Sequence, residues 1–161
     1  MLDLIIKNGS CYIDKDLKDQ DIAIKDGKII KIGKIDSEAK ETFDAEGLTV
    51  LPGCIDTQTH FREPGSTDTE DLHSGSRAAI VGGITSVFEM PNTNPPTSTK
   101  IEFQKKLDLA RNRMYCNYAF YFGATADNAN ELADLVNLEG CCGIKLFAGS
   151  STGNLLVAEE E

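Results

Sequence analysis

The first 50 residues alternate apolar and polar positions, which is the pattern of half-buried β-strands. A short strand is predicted over 2–7, and residues 21–33 alternate on both sides of the dipeptide Asp26-Gly27. That dipeptide favours a two-residue hairpin turn, because a type I′ turn needs positive φ at both positions. A further strand is predicted over 42–44. The chain therefore begins with a small β unit.

The pattern then changes to apolar strands that alternate with polar loops and amphipathic helices. The strands are predicted over 48–56, 84–89, 115–123 and 143–147, and the helices over 68–81, 99–114 and 128–138. Helix caps are predicted at Thr67 and Thr99, each followed three residues later by Glu, and a helix end at Gly82-Gly83. Strands that alternate with helices form parallel βα units with right-handed crossovers. The predicted fold class is therefore α/β.

The charge balance narrows the possible partners. The 161 residues include 16 Lys and Arg against 26 Asp and Glu, which gives a net charge of −10. A surface that negative repels phosphate backbones, so nucleic acid is not expected as a partner. No apolar run approaches the ~20 residues that cross a bilayer, and the N-terminus lacks the features of a signal peptide. We therefore expect a cytoplasmic protein that does not interact with membranes.

Five cysteines, an odd number without any C-x-x-C pair, argue against a disulfide framework or a zinc ribbon. The adjacent Cys141 and Cys142 are compatible with a redox pair. Small buried apolar residues beside a strand are the favoured interpretation of both.

Reactive residues are expected in the loops at the carboxyl ends of the four strands, where parallel α/β folds collect them. In chain order these loops contain Gln58, His60, Arg62, Glu63, Asn92, Asn94, Thr125, Asp127, Lys145, Ser150 and Ser151. Taken singly, His60, Arg62 and Asn92 fit ordinary structural roles, namely a hydrogen-bonded imidazole, a surface charge and an Asx turn. Lys145 differs, because a lysine inside an apolar strand rarely lacks a role. Together these residues suit an anionic ligand beside a metal or a polarised carbonyl.

Two further ionisable residues receive structural interpretations. His73 lies one turn into a polar helix face and is expected to be solvated. Glu89 ends a strand and is expected to pair with a basic neighbour.

Residues 52–65, with the sequence PGCIDTQTHFREPG, strongly resemble the metal-site signature of dihydroorotases in the amidohydrolase superfamily. Further motifs match the same family, namely residues 79–85 (AIVGGIT), 90–95 (MPNTNP) and 143–147 (GIKLF) followed by 149–153 (GSSTG). Their order and spacing agree with the family along essentially the whole chain.

The resemblance implies a (β/α)₈ TIM barrel preceded by a small β-sandwich segment. Residues 1–50 would contribute to the β-sandwich domain, and residues 51–161 would form the N-terminal half of the barrel with its first four strands. A half barrel rather than a closed one is expected, because closure requires eight strands.

The resemblance also implies a site with two metal ions, usually zinc. In such enzymes a His-x-His pair, a carboxylated lysine, two further histidines and an aspartate bind the metals. His60 matches the second histidine of the pair and Lys145 the bridging lysine, which is also the catalytic residue of this set. Arg62 and Asn92 match the residues that hold the substrate carboxylate.

These residue types suit the implied chemistry. Two metals polarise an amide carbonyl and lower the pKa of a bridging water, and a lysine carbamate offers two anionic oxygens to them. The planar fork of Arg62 matches a carboxylate bidentately. The implied reaction is the reversible cyclisation of N-carbamoyl-L-aspartate to dihydroorotate in pyrimidine biosynthesis. The expected partner is this small-molecule substrate, and the full-length form is expected to be a homo-oligomer.

Two departures from the family pattern qualify this expectation. Gln58 replaces the first histidine of the pair, and an amide oxygen is a weak zinc ligand. The other histidines and the aspartate base would follow later strands, beyond residue 161. The chain is therefore expected to be the front portion of a longer enzyme, inactive alone.

Other functions remain open at this point. An allantoinase or a dihydropyrimidinase is the nearest enzymatic alternative, although Arg62 together with Asn92 favours a substrate that carries a carboxylate. A non-catalytic dihydroorotase-like partner of a carbamoyltransferase is the alternative that Gln58 favours.

Overall fold

The computed structural model describes residues 1–149 and 155–157. Two compact units divide the chain, one of Met1–Pro52 and one that begins at Gly53. The strands of the first unit are β1 (Leu2–Ile13), β2 (Asp16–Lys25), β3 (Lys28–Gly33), β4 (Ala39–Asp44) and β5 (Thr49–Val50). None of the helices in the described ranges is both long enough and apolar enough to span a membrane.

The first unit is a five-stranded sheet with the order β3-β2-β1-β4, in which β5 also pairs with β1. The predicted hairpin is confirmed, because β2 and β3 pair antiparallel around Asp26 and Gly27, whose φ angles are 51° and 70°. A second hairpin joins β1 to β2 through Asp14 and Lys15, which also have positive φ. This turn is not predicted from the sequence, because neither residue is the glycine that usually marks it.

The second unit alternates strands and helices. Its elements are β6 (Cys54–Thr59), α1 (Leu72–Val81), β7 (Ile84–Glu89), α2 (Lys100–Ala110), β8 (Asn117–Gly123), a 3₁₀ helix (Ala126–Glu131), α3 (Leu132–Leu135) and β9 (Cys141–Lys145). The four strands lie in the order β6-β7-β8-β9, and each neighbouring pair is parallel. The predicted parallel half barrel is therefore confirmed.

The core of this unit lies between the strands and the helices. Leu72 of α1 and Phe103 of α2 are buried against Val87 of β7 and against Phe120 and Phe122 of β8. Phe120 and Phe122 share one face of β8 because side chains alternate along a strand. This packing fixes the sheet on which the loops of the candidate site are built.

Two predicted boundaries are wrong near the ends of elements. The strand predicted over 48–56 is two strands in different sheets, because Pro52 has no N–H to continue a ladder. Helix α1 begins at Leu72 and not at 68, with Asp71 as its cap. The Asp71 carboxylate accepts a hydrogen bond from the backbone N–H of Ser74 at 2.6 Å. Asp71, one turn after Thr67, is therefore the N-cap in place of the predicted Thr67.

The third predicted helix, over 128–138, is also wrong. Asn128 turns its side chain inward, where its amide oxygen accepts the N–H of Thr125 at 2.8 Å. Its amide nitrogen donates to the carbonyls of Ser98 and Gly123. Because such side-chain bonds compete with helical ones, a 3₁₀ helix and a four-residue α3 take the place of one longer helix.

The end of the last strand differs slightly from the prediction. Strand β9 ends at Lys145, and Phe147 forms an isolated bridge with Leu156. Of the motif at 149–153, residues 150–153 lie outside the described part of the chain, and so do the candidate residues Ser150 and Ser151.

Candidate active site

The candidate residues follow strands that all run in the same direction. His60 comes directly after β6, Asn92 lies three residues beyond the end of β7, and Lys145 is the last residue of β9. Because the four strands are parallel, their carboxyl ends meet at one end of the sheet. The fold therefore gathers the loops with these residues at the end where α/β enzymes bind their ligands.

A direct contact joins two of the predicted site residues. The side chain of Asn92 is buried, and its Oδ1 lies 2.9 Å from Nδ1 of His60. An amide oxygen only accepts, so Nδ1 of His60 is the donor in this contact, and in a neutral imidazole the lone pair is then on Nε2. A neutral imidazole with a free lone pair is the form that binds a metal ion.

Asn92 belongs to a loop, residues 90–98, that is held by its own hydrogen bonds. The N–H of Met90 donates to Thr59 of β6 at 2.9 Å, and the N–H of Thr97 donates to Pro91 at 2.9 Å. The hydroxyls of Thr93 and Thr97 lie 3.2 Å apart, and both residues are buried. Asn92 is therefore fixed inside an ordered loop, which is more than the exposed Asx turn that its sequence context also allows.

The loop that contains Arg62 is anchored by a buried carboxylate. Glu63 forms a bidentate ion pair with Arg113, with distances of 2.8 and 3.1 Å, and it also accepts the N–H of Leu72 at 2.9 Å. This pairing raises the pKa of Arg113 above its ordinary value. The backbone N–H of Arg62 donates to Glu70 at 3.1 Å. Glu63 therefore connects the loop to the start of α1 and to the segment after α2.

Arg62 and Asn92 line a small common cavity of about 40 Å³. The other residues around it are Pro64, Ser66, Thr93 and Asn94. The residues that line this cavity include side chains with guanidinium, amide and hydroxyl groups. Such donors suit an anionic group, and a carboxylate in particular matches the fork of an arginine.

Gln58 and Lys145 are placed differently from this group. They lie near the ends of β6 and β9, the two outer strands of the four-stranded sheet, which are three strand spacings or roughly 14 Å apart in a flat sheet. Gln58 is exposed, and its backbone N–H donates to Asp56. The ammonium of Lys145 lies 5.1 Å from the centre of the Phe147 ring. The structure thus connects His60, Asn92 and Arg62 but not Gln58 and Lys145, and the roles of all five residues stay predictions.

The side chains at the candidate site can be compared with the metal ligands that the resemblance implies. In the part of the chain that the structure describes, no group of three or more His, Cys, Asp or Glu side chains could hold a metal ion. His60 fits the role of a ligand, since its contact with Asn92 leaves Nε2 available. Lys145, half-buried at the end of a strand, fits a lysine that would bridge metals only after carboxylation.

A buried ion pair lies behind the sheet, beside the Asn92 loop. Glu89 at the end of β7 pairs with Lys106 of α2, and both side chains are fully buried. The interpretation of Glu89 as the partner of a basic neighbour is therefore confirmed. Burial raises the pKa of Glu89 to about 7, against the opposing effect of the Lys106 charge. Burial lowers the pKa of Lys106.

Lys106 is not among the predicted site residues, although the sequence contains a signal for it. Phe103 and Ala110 lie three residues before and four residues after it, and both are buried. Because that spacing places all three residues on one face of a helix, Lys106 is a charged residue on an apolar face. Arg113 had no comparable signal, since its partner Glu63 lies 50 residues away.

Cys141 and Cys142 fit their structural interpretation, and His73 is solvated as expected. Cys141 and Cys142 are half-buried, and burial raises the pKa of the Cys142 thiol to about 12. Such a thiol is a poor nucleophile, because the thiolate is the reactive form. His73 is exposed, and its ring contacts Tyr115 edge-on at 5.0 Å.

Comparison with known proteins assigns the family. The Amidohydrolase family profile matches residues 49–145, and the chain belongs to that family. It is 41% identical to a dihydroorotase of Methanosarcina acetivorans over 162 residues, which cover 99% of this chain and 34% of that protein. It is 40% identical to an allantoinase of Escherichia coli O1:K1 over 149 residues, which cover 92% of this chain and 33% of that protein.

Solved structures give the same assignment. The L-hydantoinase (dihydropyrimidinase) from Arthrobacter aurescens superposes with a TM-score of 0.88 and 32% sequence identity, over 98% of this chain and 35% of that chain. The resemblance inferred from residues 52–65 is therefore confirmed at the level of the family. The chain spans about a third of the length of the curated relatives that it matches.

A glycine of α1 supports the segment between His60 and Arg62, and it gives a prediction about stability. Gly75 packs against the buried ring of Phe61, and a Cβ there would lie 2.5 Å from Phe61 Cδ1. Gly75→Ala should lower the free energy of unfolding by about 1–3 kcal/mol, because overpacking outweighs the better helix propensity of alanine. Urea denaturation measures the change.

Gly82→Ala is the matched control for this prediction. Gly82 has φ of −82°, and a Cβ there would meet Ala78 and Ala79 at an ordinary 3.5 Å. Equal stabilities of the Gly75→Ala and Gly82→Ala variants would contradict the packing argument.

Proposed function

We propose that this chain is the N-terminal portion of a metal-dependent cyclic amide hydrolase of the dihydroorotase type. Its reaction is the reversible cyclisation of N-carbamoyl-L-aspartate to dihydroorotate in pyrimidine biosynthesis. The observation that carries the proposal is one contiguous group: Arg62 and Asn92 share a cavity, and Asn92 contacts His60. The pair proposed to bind the carboxylate is thus connected, through Asn92, to His60, a residue suited to bind a metal ion.

Each of these side chains has a defined task in the proposed reaction. Arg62 binds the ring carboxylate of dihydroorotate through its two parallel N–H donors. Asn92 accepts the Nδ1 proton of His60 with its oxygen and, together with Arg62, holds the substrate carboxylate. The ring is thereby oriented with its amide carbonyl toward the Nε2 side of His60, where the reacting atoms are expected.

The cofactor in this proposal is zinc, as one ion or two. His60 through Nε2, Lys145 as its carbamate and Gln58 through its amide oxygen are the residues of this chain that would hold it. When bound, zinc polarises the amide carbonyl and activates water as the nucleophile. Lys145 contributes two anionic oxygens once it is carboxylated, and these offset the charge of the cations.

Two other functions have specific observations in their favour. Hydrolysis of an uncharged cyclic amide is favoured by the likeness to an allantoinase and to an L-hydantoinase (dihydropyrimidinase). A non-catalytic role as the partner of a carbamoyltransferase is favoured by Gln58, since an amide is a poor substitute for a histidine ligand. For the leading proposal, the full-length protein is a homo-oligomer that acts on a small-molecule substrate in the cytoplasm.

Metal analysis of the full-length protein, combined with a carbamoyl-aspartate cyclisation assay, tests the proposal. Bound zinc together with cyclisation is the expected result. Bound zinc with turnover of allantoin or dihydrouracil only would assign the chain to the alternative hydrolases. Absence of both metal and turnover would support the non-catalytic alternative.

Arg62→Met is expected to weaken binding of the ring carboxylate in the full-length enzyme. The loss of a charge-assisted pair should cost ~2–4 kcal/mol, seen mainly as a higher KM for dihydroorotate. Arg77→Met, on the exposed side of α1, is the matched control and should leave KM unchanged. An Arg62→Met variant with wild-type KM and kcat would show that Arg62 is not the anchor.

The chain of residues 1–161 by itself is expected to be inactive and to bind zinc weakly. His60 and Lys145, with Gln58 as only a weak third donor, cannot satisfy an ion that takes three or four protein ligands. Lys145 is expected to stay uncarboxylated, because without metals nothing offsets the negative charge of a carbamate in a half-buried site. The measurement is ring opening of dihydroorotate by this chain with zinc and bicarbonate. Turnover that disappears in Lys145→Ala would contradict the expectation.

A further inference from the structure

We infer that Lys106 is a positioning residue for the candidate site: from α2, behind the sheet, it fixes the point at which the Asn92 loop leaves β7. The expected effect of Lys106 on substrate binding rests on the proposed function, whereas its effect on the order of the loop does not depend on that function.

The ammonium of Lys106 makes two contacts with adjacent residues of the chain. It pairs with the carboxylate of Glu89, the last residue of β7, and it donates to the backbone carbonyl of Met90 at 3.1 Å. The ring of Phe120 lies 5.0 Å from the same nitrogen. One fully buried cation therefore holds the side chain at the end of the strand and the backbone of the first loop residue.

Further hydrogen bonds connect these contacts to the residues of the candidate site. The N–H of Met90 donates to Thr59, the residue directly before His60. Asn92, two residues after Met90, contacts His60 through its side chain. Met90 is thus bonded on one side to β6 and on the other side to Lys106, and a shift of Met90 would change the distance between Asn92 and His60.

The Lys106 contacts also explain why a costly buried charge is present at this position. A structural role alone does not require an ion pair, since apolar residues of similar volume replace buried pairs at little or no cost in stability. An apolar side chain at position 106 would still fill the space, but it would not donate to the carbonyl of Met90. Positioning and stability are therefore separable by mutation.

The test compares the Glu89→Gln/Lys106→Met double variant with the wild type in the full-length protein. The double variant removes both charges together, so its unfolding midpoint is expected to stay close to that of the wild type. Amide hydrogen exchange in residues 90–98 is expected to rise roughly tenfold, because the loop loses a hydrogen bond from a charged donor. The KM for dihydroorotate is expected to rise by a similar factor.

Two controls separate positioning from general destabilisation. Lys105→Met removes an exposed neighbour that pairs with Glu102 on the same helix, and it should change neither the exchange nor the KM. Phe103→Leu weakens the core of α2 without touching Met90, so its effect on exchange should not concentrate in residues 90–98. An equal rise in that loop for Phe103→Leu would overturn the inference.

The remaining outcomes also decide the question. A double variant with wild-type exchange in residues 90–98 and wild-type KM would reduce Lys106 to a structural residue. If the double variant fails to fold, Lys106→Met alone is compared with Glu89→Gln alone. Both variants break the buried pair, but only Lys106→Met removes the donor to Met90, so equal exchange in residues 90–98 of the two variants would overturn the inference. If the wild type opens no cyclic amide, the proposed function fails, while the exchange measurement still decides the role of Lys106.

Discussion

Lys145→Ala in the full-length enzyme should lower the turnover of dihydroorotate by roughly 10³-fold or more. The substitution removes the side chain that would carry the bridging carbamate, and with it the metal-supplied stabilisation of several kcal/mol. Each 1.36 kcal/mol corresponds to about a factor of ten in rate. Steady-state kinetics with zinc in excess measure the effect, and metal analysis of the variant should show a parallel loss of bound zinc.

Lys100→Ala provides the control for general effects of removing a lysine. Lys100 is exposed in the first turn of α2, and its replacement should leave both turnover and metal content unchanged. A Lys145→Ala variant that keeps its zinc and turns over within tenfold of the wild type would show that Lys145 is not a ligand.

Lys106→Met should lower the free energy of unfolding by about 3–5 kcal/mol, the cost of leaving one partner of a buried pair alone. Glu89 would then be a buried carboxyl without its ion-pair partner, and its pKa, already about 7 in the wild type, would rise further. The measurement is urea denaturation, with the exposed Lys105→Met as the control, expected to change stability by less than ~0.5 kcal/mol.

The loss in Lys106→Met should also depend on pH in a defined direction. With its pKa raised in the folded state, Glu89 keeps its proton in the folded chain over a range where the unfolded chain has lost it. Stability therefore falls as the pH rises from about 4.5 toward the raised pKa. A variant that is less stable at pH 5.5 than at pH 8 would contradict the assignment of Glu89 as the unpaired group.

The elements with strong local signals were predictable from the sequence. Strand β7 matches its predicted bounds, and Thr99 caps α2 as its spacing with Glu102 indicates. Helix α1 begins late because Asp71 and Ser74 offer a second cap beside the apolar Leu72. Sequence alone does not rank two competing caps, because the choice depends on which start buries the apolar face.

The candidate site was predictable only in part for a similar reason. His60, Arg62 and Asn92 follow strand ends, which the alternation of strands and helices locates. The two ion pairs that support their loops join residues from distant positions, with Glu63 paired to Arg113 and Glu89 to Lys106. Such pairings depend on how α2 packs on the sheet. The position of Lys106 on an apolar helix face indicates a buried charge, but it does not indicate which residue pairs with it.

The carboxylate preference of the enzyme tests the central claim most directly. Dihydroorotate and dihydrouracil share the same cyclic amide and differ in the ring carboxylate that Arg62 and Asn92 are proposed to bind. The measurement is the ratio of kcat/KM for the two compounds with the full-length, zinc-loaded protein. The account predicts a ratio of ~30 or more in favour of dihydroorotate, the equivalent of at least ~2 kcal/mol from the charge-assisted pair. Equal values, or a preference for dihydrouracil, would contradict it.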